Sequence, residues 1–144
     1  IGLALLNSSG APAPYESRDQ YGEASGVAVM TLIEKNIAAL GFTDKAKVLK
    51  ADVLSGLKWL EHFSDYKGYD LVFMGPPYRT SENLPLFYSV ETLTLLSQAK
   101  IVTPTALIVV QHHKKEVLTP VPGLEHVRNE RYGDTDVDFF RPVK

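Results

Sequence analysis

From residue 27 onward, short apolar runs alternate with segments whose apolar positions recur every three or four residues, the signature of strands exchanging with helices. Residues 27–33 (VAVMTLI) are short, apolar and partly β-branched, and they read as a buried strand. A helix over 34–40 (EKNIAAL) follows, stopped by Gly41 as a left-handed cap. Residues 47–51 (KVLKA) give a second strand. Asp52 then stands where a helix N-cap belongs, ahead of residues 53–63, whose Leu54, Leu57, Leu60 and Phe63 mark one apolar face. A third strand over 69–74 (YDLVFM) runs directly into Gly75-Pro76-Pro77-Tyr78.

Further along, Val90, Leu93, Leu95 and Leu96 predict a helix within 86–99, and Pro104 is expected to break the chain before a strand over 106–112. Residues 124–132 and 135–141 flank the turn dipeptide Gly133-Asp134 and read as a closing hairpin. Such alternation predicts an α/β domain of Rossmann-like type, with a mainly parallel sheet and a C-terminal antiparallel hairpin. Residues 1–144 read as one domain. Within it, residues 1–26 stand apart: 1–6 are apolar, but 8–26 are polar, rich in Gly and Pro, and without periodicity. That stretch is expected to be irregular or incomplete, either a ligand-binding loop or a sign of missing chain.

Composition narrows the class. With 144 residues and 44% hydrophobic content, the chain can bury one core. No apolar run approaches the roughly 20 residues needed to cross a bilayer, and nothing at the N-terminus resembles a signal peptide. There is no cysteine, so disulfides, thiolate metal sites and thiol nucleophiles are excluded. A cytoplasmic protein without membrane or metal, and monomeric, is the expectation. The net charge of −2 offers no broad basic surface for nucleic acid. Local basic groups exist at Lys45, Lys47 and Lys50, at Lys114 and Lys115, and at Arg128 and Arg131, each equally readable as a solvated face.

The tetrapeptide after the third strand carries the chemistry. In open α/β sheets, ligands bind beyond the carboxyl ends of strands. Two prolines give a stiff turn that lacks two backbone donors, so its carbonyls are free to accept hydrogen bonds from an amino group. Tyr78 offers a flat face for stacking a base, worth about 1–3 kcal/mol. An exocyclic amine is a weak nucleophile, because its lone pair is delocalised into the ring. Acceptors at its protons favour the positive charge that develops, and stacking fixes its angle of approach to a methyl donor.

Several segments together resemble the RsmD family: YDLVFMGPPYR, LIEKN, LIVVQHHKKE and VPGLEHVRNERYGDTDVDFFR. The likeness covers roughly residues 27–141, and Arg131-Tyr132-Gly133-Asp134-Thr135 is its most family-specific part. The resemblance implies a class I methyltransferase that uses S-adenosylmethionine to methylate N2 of a guanine in bacterial small-subunit ribosomal RNA. It implies catalytic roles for Gly75, Pro76, Pro77 and Tyr78. It also places Glu34, with Lys35 beside it, at the end of the first strand on the donor's ribose hydroxyls. Asp52 and Val53 fall at the adenine, and Gly75 near the methyl group. Arg79 and Arg131 are the expected RNA contacts, within a small-subunit particle, although Arg131 could equally pair with Asp134 or Asp136.

The chain departs from the family pattern at two places. The Asp or Asn expected before Pro-Pro is Gly75, and the glycine-rich donor loop is not visible, Ser8-Ser9-Gly10 being a weak stand-in. The family's RNA-gripping N-terminal hairpin is not evident either, and residues 1–7 fit only a remnant of the helix that follows it. Two alternatives therefore stand beside the main reading: a catalytically silent RNA- or protein-binding descendant, and an N6-adenine methyltransferase sharing the Pro-Pro-Tyr logic. His112 and His113 cannot place both rings on one strand face, so they suggest no metal site.

Overall fold

A computed structural model describes residues 2–6, 13–17, 23–49, 51–75 and 87–143. Its strands are β1 (Gly2–Leu6), β2 (Ala13–Ser17), β3 (Ala46–Leu49), β4 (Tyr69–Gly75), β5 (Val102–His113), β6 (Leu124–Tyr132) and β7 (Thr135–Pro142). Helices α1 (Glu23–Ala39) and α2 (Ser89–Ala99) and two 3-10 turns, Val53–Ser55 and Lys58–Ser64, lie between them. The strands form one sheet in the order β3-β2-β1-β4-β5-β7-β6.

Strand β2 pairs parallel with β3, and β4 with β5. Strand β1 runs against both β2 and β4, and β7 against both β5 and β6. Two reversals restore direction, so β2, β3, β4, β5 and β6 all point the same way. The expected mainly parallel α/β sheet with its C-terminal hairpin is present, with β1 as a further reversed strand in its middle.

Period-two alternation builds the core. Val72 and Met74 on β4 and Ala106, Ile108 and Val110 on β5 are fully buried on one face, against Leu93 and Leu96 of α2. Leu57 and Leu60 from the 3-10 segment close the same cluster, and burying each such side chain contributes about 1.5–3 kcal/mol. Tyr69 enters this core with its hydroxyl donating to the Leu60 carbonyl at 2.8 Å. Burial pushes its phenol up to about 12, against a smaller downward pull from Ser64.

Four expectations need correction. Residues 27–33 are not a strand; they lie inside α1, which runs unbroken from Glu23 to Ala39. A short continuous apolar run does not by itself distinguish strand from buried helix, and here the helix-forming residues on both sides extend through it. Gly41 does end that helix as expected. It holds φ 75°, Gly41 N–H donates to the Ala38 carbonyl, and Phe42 N–H donates to that of Ile37. The helix expected over 53–63 is instead two 3-10 turns, because Gly56 at φ 114° interrupts it. Pro104 does not stop the chain before β5 but sits within it, exposed, where the β4–β5 register shifts and no ladder donor is required. Residues 1–26 contain β1, β2 and the start of α1, so residues 2–6 form a strand and not a helical remnant.

Candidate functional site

Because β2, β3, β4 and β5 point one way, their carboxyl ends share one edge of the sheet. Gly75 is the last residue of β4, near the middle of that edge. Pro76, Pro77, Tyr78 and Arg79 follow it and lie outside the described residues. The Gly75 backbone is outside the left-handed region. A Cβ built there would meet Phe73 Cε1 at 3.4 Å, Phe73 Cζ at 3.8 Å and Gln111 Oε1 at 3.9 Å, all ordinary contacts. Among the described residues, neither backbone strain nor a steric wall requires the glycine.

Asp52 follows β3 on the same edge. It is exposed, and its Oδ1 accepts from the Leu54 amide at 3.0 Å, capping the 3-10 turn as the sequence suggested. Two of the residues expected at the donor sit elsewhere in the fold than the sequence placed them. Glu34 does not end a strand: with Lys35 it is exposed within α1, five residues before the helix ends, so the strand-end geometry for gripping a ribose is absent. Val53 is fully buried in the core.

Of its two candidate acidic partners, Arg131 pairs with Asp136. Its Nε and Nη2 donate to Asp136 Oδ1 and Oδ2 at 2.6 and 2.9 Å, a two-pronged pair across the β6–β7 hairpin. That pairing raises the Arg131 guanidinium and holds the Asp136 carboxyl below the usual carboxylate range. Lys114 likewise pairs with Asp134 at 2.6 Å and lowers it.

The sequence reading missed a buried polar network on the opposite sheet face from Gly75. His112, 2% exposed, directs Nε2 at Asp138 Oδ2 at 2.5 Å and Nδ1 at the His113 carbonyl at 2.9 Å. Burial alone would raise the Asp138 carboxyl, but hydrogen bonds from His112, His126 and Asn129 outweigh it and lower it. Glu116 accepts from both the amide and the hydroxyl of Ser89, the first residue of α2, where a helix N-terminus favours negative charge. A cavity of about 470 Å³ opens beside these groups, lined among others by Glu116, Val121, His126 and Arg131. The available signal was the alternation of β5, which puts His112 in phase with the buried Ile108 and Val110.

Among the described residues, no group of three or more His, Cys, Asp or Glu side chains could hold a metal ion. No described helix is long and apolar enough to cross a membrane.

The family model described as conserved hypothetical protein 95 matches residues 22–141. Solved structures share the fold. A methyltransferase candidate from Escherichia coli superposes with TM-score 0.64 at 24% identity, covering 92% of this chain and 63% of its own. A methylase candidate from Haemophilus influenzae gives 0.61 at 19%, covering 81% and 68%. An rRNA methyltransferase from Streptomyces viridochromogenes gives 0.50 at 18%, covering 81% and 47%. The shared architecture is that of class I methyltransferases. Separately, 39 residues are 85% identical to a dihydroxy-acid dehydratase from Dinoroseobacter shibae, and 37 are 70% identical to one from Parvibaculum lavamentivorans. The chain spans only 7% and 6% of those two proteins.

Proposed function

The chain belongs to the conserved hypothetical protein 95 family, the RsmD family of methyltransferases, and from that premise we propose that it methylates the exocyclic N2 amine of a guanine in small-subunit ribosomal RNA, with S-adenosylmethionine as donor. The observation that carries this reading is the place of Gly75 at the carboxyl end of β4, mid-sheet, where α/β folds bind ligands, with Pro76-Pro77-Tyr78 next in the sequence.

The residues present fit the donor. Asp52 presents an exposed carboxylate past β3, suited to an adenine amino group. Gly75 lies three strand spacings away along the same edge, about 14 Å at about 4.8 Å per spacing, a separation suited to an extended nucleoside and not to one small group. When bound, S-adenosylmethionine supplies an activated methyl group. A carbonyl of the Gly75-Pro76 turn accepts one of the two protons of the target amine, and Tyr78 stacks on the guanine, which must be splayed from its RNA stack to reach the edge. Arg79, next to Tyr78, faces the RNA backbone in this reading, whereas Arg131 serves the hairpin through Asp136.

Replacing Tyr78 by alanine tests the assignment. Methylation of partially assembled small subunits is expected to fall by about tenfold or more, with calorimetric affinity for S-adenosylhomocysteine retained. A normal rate in that variant removes Tyr78 from the base site. A wild-type chain that binds no S-adenosylhomocysteine favours instead a silent module with a methyltransferase fold.

A further inference from the structure

We infer, resting on the proposed amine methylation, that the side-chain amide of Gln111 supplies the acceptor that Gly75 lacks. The family pattern puts an Asp or Asn oxygen on the target amine from the last residue of β4. Here that residue has no side chain, yet the position is not bare. The parallel register pairs Met74 with Val110, so one step on, Gly75 lies beside Gln111 on the adjacent strand. Among the described residues, the polar atom nearest the position of a residue-75 Cβ is Gln111 Oε1, 3.9 Å away, with Phe73 Cε1 at 3.4 Å. His112 and its network face the opposite side of the sheet, because successive strand residues alternate. Gln111 therefore belongs to the Gly75 face and not to the cavity.

An amide oxygen is the same acceptor that asparagine presents at the family position, delivered from β5 instead of β4. Gln111 is half-buried, and the Phe73 ring lies 3.4 Å from the same Cβ position. A hydrogen bond made there competes less with solvent than one made in the open. The acceptor strengthens its hold as the amine nitrogen gains positive charge, so its contribution appears in the rate more than in binding.

Single-turnover methylation of small-subunit particles, S-adenosylhomocysteine affinity and thermal melting, measured together, test this. Gln111→Leu is expected to slow methyl transfer about ten- to hundredfold with donor-product affinity unchanged. Gln111→Glu, which keeps an oxygen in place, is expected to hold the rate. Adding Gly75→Asn to Gln111→Leu is expected to restore most of the loss, an outcome that a purely structural role would not produce. If Gln111→Leu does not fold, Gln111→Asn withdraws the oxygen by one methylene and is expected to show the same slowing. A folded Gln111→Leu or Gln111→Asn protein with the wild-type rate overturns the role, as does failure of Gly75→Asn to rescue. An inactive wild type overturns the methylation reading and the role together, whereas an active wild type with an indifferent Gln111 overturns the role alone.

Discussion

His112 Nε2 lies 2.5 Å from Asp138 Oδ2, joining β5 to β7 on the buried face of the sheet. Asp138 also receives His126 Nε2 at 2.6 Å and Asn129 Nδ2 at 3.0 Å, so one carboxylate ties three strands together. A buried carboxylate with three donors is stabilising only while it is ionised and all three are in place.

Asp138→Asn is expected to destabilise the chain by about 1–3 kcal/mol at neutral pH, read from urea unfolding. The pH dependence has a definite sign. Hydrogen bonds hold the folded Asp138 carboxyl below its ordinary value despite burial, so its stabilisation is fully present above the unfolded value of about 3.9. The wild-type advantage over the variant is therefore expected to fade as pH drops below about 4. An advantage that stays constant down to pH 2 would contradict this assignment.

Tyr69→Phe removes the donor from the buried Leu60 carbonyl while leaving the ring in the core. A loss of about 1 kcal/mol in unfolding free energy is expected, with the unfolding slope unchanged.

Glu34→Ala is expected to leave S-adenosylhomocysteine affinity as it is and to change stability by no more than about 0.5 kcal/mol, since Glu34 is an exposed residue within α1. A tenfold loss of affinity by calorimetry would return Glu34 to the donor site.

Gly75→Asp is expected to fold with nearly unchanged melting temperature, because its backbone is not left-handed and, among the described residues, its Cβ meets nothing nearer than 3.4 Å. The single-turnover rate is expected to hold or rise, as the added carboxylate faces a nitrogen gaining positive charge. A folded variant slowed a hundredfold would show that the strand end does not have the geometry of the Asp-Pro-Pro-Tyr enzymes.

How far the sequence could be read follows from the range of the interactions. Elements bounded by local signals were legible: the Gly133-Asp134 hairpin, the Gly41 cap, the Asp52 cap and the strand leading into Gly75 all have their cause within a few residues. Residues 27–33 were not, because an apolar run takes its state from its neighbours and from what packs on it. That one error put Glu34 at a strand end, where the structure has it within α1. Strand β2 escaped notice because the polar, Gly- and Pro-rich stretch between residues 8 and 26 has no periodicity, whereas β1, apolar over 2–6, was too short to tell from a helical remnant. The His112–Asp138 contact and the approach of Gln111 to Gly75 depend on strand order and register, which pair residues far apart in the chain.

Transfer of a labelled methyl group from S-adenosylmethionine to partially assembled small-subunit particles, with the modified base identified after digestion, tests the central claim most directly. The account predicts label on guanine N2, carried by the wild-type chain and lost on Tyr78→Ala. Label on an adenine N6, or no transfer by a folded chain that binds S-adenosylhomocysteine, would contradict it.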